Sequence, residues 1–139
     1  WRSFLLRLFG AKIGKKIRLN PYLRIKFPWK LAIGDDSWIG NSVWIDNVEV
    51  VEIHSNVCIS QGVYICNGNH NYKSINFEYK LRKITIYSYS WIAAKSIVSP
   101  GTVIGEGAVL TIGSVAIGSL LPYTIYQGNP AVAKRKRIN

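Results

Sequence analysis

Aliphatic residues recur at every sixth position along most of this chain. From Ile86 the series runs Ile86, Ile92, Val98, Ile104, Leu110 and Ala116, and a small residue stands four places after each of the first five, at Ser90, Ser96, Thr102, Ala108 and Ser114. An earlier block runs Ile33, Ile39 and Ile45, with Ser37 and Val43 at the small position. After an excess of two residues it resumes at Ile53, Ile59 and Ile65, with Val57 and Val63, and a weaker start is visible at Ile13, Leu19 and Ile25. A period of six fits neither a helix nor a simple array of hairpins. It fits a short strand and a tight corner repeated around a coil. The aliphatic is expected to point inward and its strand neighbours outward, because strand side chains alternate. The small residue lets the chain turn a crowded corner. Three such strands close a coil in about 18 residues, and no coil buries its core alone, so coils must stack through strand hydrogen bonds. The blocks 33–50, 53–70, 86–103 and 104–121, with the weaker start, predict about four to five coils.

The rule breaks between His70 and Ile86. The 71–85 stretch carries Asn71, Tyr72, Asn76, Tyr79, Lys80, Arg82 and Lys83. A loop this long inside a tight repeat is uncommon and often functional, and a histidine opens it, so it is read as an active-site loop. Residues 1–9 are expected to form a short amphipathic helix ended by Gly10. Its apolar face is expected to cap the open first coil, as terminal repeats require, rather than to enter a membrane. From Pro122 to Asn139 the chain leaves the period and is expected to cross back over the last coil, with a breaker at Gly128-Asn129-Pro130. The organisation is one all-β domain: a cap over 1–12, first coils over 13–70, the loop over 71–85, last coils over 86–121 and an extension over 122–139.

Composition narrows the picture. The 139 residues are 48% apolar and 18% charged, which suits one folded domain and excludes a disordered chain. No apolar run is long enough for a spanning helix, and no signal-peptide pattern is visible. The chain opens on Trp1 and contains no Met, so its natural start is expected upstream. Cys58 and Cys66 are too few for a Cys-rich scaffold or a four-Cys zinc site, and are expected to be partly buried thiols in a reducing compartment. The net charge of +11 is uneven: residues 1–30 hold nine Lys or Arg and no acid, 31–133 hold five basic and seven acidic residues, and Lys134-Arg135-Lys136-Arg137 follow. Such ends attract phosphates, an acidic membrane surface or nucleic acid.

The only histidines are His54 and His70. In the frame set by Ile65, His70 is the last residue of its hexad and projects outward. The corresponding positions are Trp38, Trp44, Val50, Cys58, Tyr64, Trp91, Ile97, Val103, Val109 and Val115, an apolar and aromatic row facing away from the core. Such a row signals an interface and predicts an oligomer. If the extra residues sit at corners, Val50, His70 and Val103 share one face, and Trp38, Cys58, Trp91 and Val109 share the next. Histidine suits proton abstraction because its ordinary pKa lies near working pH, so His70 is the candidate general base. His54 is read as a surface residue. A catalytic zinc needs three protein ligands, which two histidines do not supply, and no metal is expected. No P-loop and no Gly-rich dinucleotide motif occurs.

Several motifs together carry a resemblance: Pro28-Trp29-Lys30-Leu31, Asp36-Ser37-Trp38-Ile39-Gly40, Val57-Cys58-Ile59-Ser60-Gln61-Gly62, Gly68-Asn69-His70-Asn71-Tyr72, Trp91-Ile92-Ala93, Pro100-Gly101 and Gly128-Asn129-Pro130-Ala131. Over roughly residues 10–133 the chain resembles the hexapeptide-repeat acyltransferases, in particular the sugar O-acetyltransferases of the colanic-acid and exopolysaccharide type. The resemblance implies a left-handed parallel β-helix, a handedness that the period does not give and that runs against the usual crossover rule. It implies a homotrimer with active sites between subunits, acetyl-CoA as donor, a sugar or lipid-linked saccharide as acceptor, and a cytoplasmic location, if anywhere on a membrane then at its inner face. In that family the histidine matching His70 takes the proton from a sugar hydroxyl, which attacks the thioester carbonyl directly. The match places an oxyanion-facing backbone amide at Ala94. Asn47, with a plain corner role as its other reading, joins Asn69 and Tyr72 as acceptor-binding candidates. Trp91, Ala94, Ile112, Ile117 and Gly118 match positions along the coenzyme arm. Here the usual Gly-Ala-Gly-Ser is Thr111-Ile112-Gly113-Ser114 and the usual Thr-Lys-Asp is Ile117-Gly118-Ser119. A phosphate-facing lysine is therefore missing, and Lys134 and Arg135 are expected to supply its charge.

Two other readings stand beside this one. A catalytically silent β-helix scaffold would explain the altered coenzyme region, and release of free CoA would separate it from an enzyme. A nucleic-acid or membrane binder using the basic ends would lose affinity steeply with salt; the aromatics are not arranged as an RNA-stacking module, so no nucleic-acid partner is expected, while peripheral contact with a membrane surface stays open.

Overall fold

A computed structural model describes residues 1–138. Its backbone winds around three parallel sheets, built from strands of mostly two or three residues. The first face stacks Lys12–Ile13, Leu31–Ile33, Val51–Ile53, Ile84–Ile86, Val103–Ile104 and Ser119–Leu120. The second stacks Arg18–Leu19, Trp38–Ile39, Cys58–Ile59, Trp91–Ile92, Val109–Leu110 and Thr124–Gly128, and the third Arg24–Ile25, Trp44–Asp46, Tyr64–Cys66, Ile97–Val98 and Val115–Ala116. This is a parallel β-helix of five complete coils and a partial sixth, more than the four to five expected. The weak start at Ile13, Leu19 and Ile25 is a full coil, and Leu120 and Tyr126 stay in register with Ile104 and Leu110 after the hexad pattern has faded.

The core is the column of inward aliphatics. Ile33, Ile39, Ile45, Ile53, Ile59, Ile65, Ile86, Ile92, Ile104 and Leu110 are all fully buried, each contributing roughly 1.5–3 kcal/mol on leaving water. The corners divide the work between two residues. One takes a positive φ, as at Asp36, Asn56, Tyr89 and Gly107, and makes the turn. The small residue that follows, Ser37, Val57, Ser90 or Ala108, points inward and is buried. Its hydroxyl, where it has one, caps a carbonyl: Ser37 Oγ donates to His54 O at 2.9 Å and Ser90 Oγ to Tyr87 O at 2.7 Å.

Only one corner departs from six-residue spacing, the one leading from the third face back to the first. The first two coils carry their two-residue excess there, between Ile25 and Ile33 and between Ile45 and Ile53. Asn47 and Asn67 fill it from inside. Asn47 accepts from Phe27 N at 3.0 Å and donates to Phe27 O and Lys30 O at 2.8 and 3.0 Å. Asn67 does the same for the next corner, with Glu49 N, Glu49 O and Val50 O. The later, shorter corner at Ser99–Thr102 uses hydroxyls instead, both bonded to Ala116 O.

The same corner hosts the interruption, which differs from the expected 71–85 loop. Gly68–His70 and Tyr79–Leu81 pair antiparallel as a β-hairpin, and the coil resumes at Ile84. The cap is helix α1 (Arg2–Leu8). Of its apolar residues only Leu6 packs on the core, while Trp1, Phe4 and Leu8 face solvent, so the expected burial of its apolar face does not occur. The extension does cross back: Ala131–Lys136 pairs antiparallel with Thr124–Gly128 and closes the free edge of the second face. Asn139, the last residue of the expected extension, lies outside the described residues.

Candidate active site

The hairpin places His70 outside the coil. Its register sets Asn69 opposite Lys80 and His70 opposite Tyr79, and the His70 and Tyr79 rings pack with centroids 4.7 Å apart. The Asn69 side chain accepts from the His70 backbone N–H at 2.8 Å. At the tip Phe77 takes a positive φ, and its carbonyl oxygen lies 2.7 Å from His70 Nδ1. A carbonyl only accepts, so Nδ1 carries the proton and, in the neutral ring, Nε2 holds the free lone pair. One nitrogen is thereby committed to the scaffold, and the other is an exposed base. Tyr72 stands exposed at the tip, with Lys73 Nζ 5.9 Å from its ring centroid.

Two hollows lie near the candidate residues. One, of about 340 Å³, is lined by Asn69, Lys80, Arg82, Ser99, Pro100 and Ile117. It brings together a residue expected at the acceptor and one expected at the coenzyme, and adds two cations. The other, of about 530 Å³, lies on the second face among Trp38, Cys58, Ser60, Gln61, Asn20, Asn41 and Trp91. There Trp91 Nε1 donates to Ser60 Oγ at 2.9 Å. Burial pushes the Cys58 thiol above its ordinary pKa.

The remaining candidates are spread over the surface. Ala94 and Ile112 sit in successive coils at the corner between the second and third faces, where Gly113 N donates to Ala94 O at 3.0 Å. Among the described residues the Ala94 N–H has no backbone acceptor, leaving it free as a donor, as are the equivalent amides of Gln61 and Ile112. Ile117 and Gly118 occupy the opposite edge of the third face. A Cβ added at Gly113 or Gly118 would meet nothing within 4 Å, so both edges are open to a long, thin ligand. Lys134 and Arg135 lie on the strand that edges the second face, not at the Ile117 corner. The charge beside Ile117 comes instead from Lys80 and Arg82. Sequence reasoning missed these two as site residues because only the hairpin register sets them beside Asn69. Asn47 is also corrected: it is fully buried, and its amide is spent on the corner.

Within one chain His70 therefore stands at one corner while Trp91 and Ala94 lie around another face. Between them the third face presents Trp44, Tyr64, Ile97 and Val115. The Tyr64 hydroxyl donates to Asp46 Oδ2 at 3.0 Å. Burial first, then Cys66 and Asp46, raise the Tyr64 pKa far enough to keep it a donor. His54 is half-buried, against the Tyr87 ring and 3.0 Å from Glu52, whose other oxygen meets Lys83 at 2.6 Å. The Lys83 contact holds the Glu52 carboxyl below its usual range. Among the described residues no three metal-ligating side chains gather.

The fold has close counterparts. The maltose O-acetyltransferase from Clostridium difficile 630 superposes with a TM-score of 0.92 at 24% identity, over 99% of this chain and 75% of that one. The acetyltransferase VCA0836 from Vibrio cholerae O1 biovar eltor, solved with acetyl coenzyme A, gives 0.92 at 22%, over 99% and 77%. The architecture is that of the hexapeptide-repeat acetyltransferases. No protein-family model matches the chain. Over 138 residues, however, it is 41% identical to the colanic acid biosynthesis acetyltransferase WcaF of Escherichia coli (strain K12), matching 99% of this chain and 76% of that protein. The chain belongs to the WcaF family of acetyltransferases.

Proposed function

We propose that the protein moves an acetyl group from acetyl-CoA to a saccharide hydroxyl, in free or lipid-linked surface polysaccharide, with His70 as general base. The observation that carries the role of His70 is its fixed tautomer. With Nδ1–H held by the Phe77 carbonyl, Nε2 accepts the hydroxyl proton as the sugar oxygen attacks the thioester carbonyl. The resulting oxyanion takes a backbone N–H such as that of Ala94. Collapse breaks the carbon–sulfur bond, and the imidazolium returns its proton to the departing CoA thiolate. Because His70 and Trp91 lie on different sides of one coil, the complete site is assembled from two copies, His70 of one facing Trp91 and Ala94 of the next, in a trimer.

The test is turnover of acetyl-CoA with a panel of saccharide acceptors. His70→Ala should retain the fold and lower turnover by roughly 10²–10⁴-fold, the worth of a positioned acid–base group, while His54→Ala should lose little. Near-full activity of folded His70→Ala would remove the base. Absence of CoA release by the unaltered protein with any acceptor would favour the scaffold reading.

A further inference from the structure

The hairpin at the irregular corner has two faces, and only one of them carries His70. Paired residues across an antiparallel ladder point to the same side, and successive pairs alternate. His70 and Tyr79 therefore share one face, and Asn69 and Lys80 share the other. Gly68, on the His70 face, turns toward the earlier coil, since a Cβ added there would stand 2.7 Å from Val48 Cγ2. The opposite face turns toward the later coils, and between them lies the hollow lined by Asn69, Lys80, Arg82, Ser99, Pro100 and Ile117. Arg82 is set in place from two sides. Its N–H donates to Asn67 O at 3.2 Å, and its stem lies on the Pro100-Gly101 turn, where a Cβ at Gly101 would come within 2.9 Å of Arg82 Cδ.

Charge and donors give the hollow its chemistry. It presents an ammonium and a guanidinium, and its lining contains no carboxylate. Among the described residues neither cation is ion-paired: Glu52 is held by Lys83 and His54, and Asp46 by Lys26. The Asn69 side-chain oxygen is taken by the His70 backbone N–H, so its NH2 group is left to donate. The Ser99 hydroxyl is spent on Ala116 O at 2.6 Å. The available groups are thus three donors, two of them charged. They match an anion with several acceptor oxygens, and Arg beside Lys favours phosphate. The volume of about 340 Å³ admits a phosphate or a diphosphate.

We infer that this hollow binds a phosphate ester, with Lys80, Arg82 and Asn69 as its donors. Asn69 and His70 point to opposite sides of one strand, so the phosphate is anchored beside the base and takes no part in proton transfer. Two carriers share this chemistry in the acetyl-transfer reading, on which the choice of carriers rests. One is coenzyme A, and the other is an acceptor saccharide joined to a nucleotide or a lipid through a diphosphate. The phosphate site itself is read by binding and does not depend on turnover.

The test is isothermal titration of the full chain with pyrophosphate, coenzyme A and the nucleoside diphosphate UDP. The unaltered protein should bind pyrophosphate and at least one of the two carriers. Lys80→Gln/Arg82→Gln should weaken those affinities about tenfold or more, the worth of charge-assisted hydrogen bonds. Lys15→Gln/Lys16→Gln, which removes two exposed charges elsewhere, should not. Loss with coenzyme A alone names the coenzyme as carrier, loss with UDP alone names the acceptor, and loss with both shows that each uses the hollow. If the double variant misfolds by circular dichroism, Lys80→Gln alone decides, because that side chain is exposed. The inference is overturned if the unaltered protein binds none of the probes, if the Lys80 and Arg82 variants bind all of them undiminished, or if the control loses as much. It is equally overturned if Lys80→Gln/Arg82→Gln lowers the assembly state in sedimentation, which would make the cations a protein interface. Binding of pyrophosphate without coenzyme A would count against the acetyl-transfer reading and leave the phosphate site standing.

Discussion

His70 and Asn47 show how little a residue type says about its use. Both are polar residues at the one irregular corner. His70 is carried outward on a hairpin, with one nitrogen tied and one free. Asn47 is turned inward, where its amide meets three backbone groups, of which Phe27 O also accepts from Lys30 N at 2.9 Å. Truncating it orphans the Phe27 N–H and the Lys30 carbonyl in a partly buried corner, and each buried unsatisfied group costs about 1–3 kcal/mol. Asn47→Ala should therefore lower unfolding free energy by roughly 2–4 kcal/mol in denaturant titration, while acetyl-CoA affinity in the surviving fold stays near that of the unaltered protein. A purely catalytic loss with unchanged stability would return Asn47 to the acceptor site. The sequence alone left Asn47 between these readings, because a hexad frame places a residue at a corner without saying which way it points.

At the scale of elements, the hairpin leaves the coil after Asn67 and rejoins it at Ile84, and Lys83 helps to fix the return through Glu52. The folded carboxyl titrates below its unfolded value, chiefly through the Lys83 hydrogen bond. Its contribution is thus present above the ordinary carboxylate range and lost as pH falls through the lowered folded value. Glu52→Gln should be slightly less stable than the unaltered protein near neutrality and indistinguishable from it in acid, as read by melting at a series of pH values. Both partners are substantially solvated, so the difference should be small. The strands themselves were legible, since Ile86 through Ala116 keep a strict six-residue beat. The hairpin was not, because Asn69 pairing with Lys80 leaves no periodic trace in the mixed residues between Gly68 and Leu81. Nor was the orientation of helix α1: its pattern identifies a stripe but not the side on which the coil lies, and Arg7 decided that through two carbonyls.

For the molecule as a whole, the outward row of the second and third faces stays exposed in one copy: Trp38, Trp44, Trp91 and Ile97 all remain more than a third accessible. Arg18 and Arg24 cover two of these rings from the edge, 4.8 Å from the Trp38 centroid and 4.1 Å from that of Trp44. A contiguous apolar surface of this kind favours closed assembly. Sedimentation equilibrium should report a trimer at micromolar concentration, and Trp44→Glu should shift it toward monomer with parallel loss of turnover. A monomer that remains fully active would dismiss the two-copy site.

The confinement of every irregular spacing to one corner also bears on how such a protein can change over generations. Two corners of the prism admit no extra residue without sliding the buried column out of register. The third has absorbed nothing at Ser99–Thr102, two residues beside Asn47 and an entire hairpin after Asn67, while Ile53 and Ile86 still stack. A Gly-Ser insertion after Val48 should leave the protein folded, whereas the same insertion after Ser55 should not, as soluble yield and thermal melting would reveal. New substrate contacts can thus be drafted along a single seam of the scaffold, and the rest of the chain keeps its rhythm.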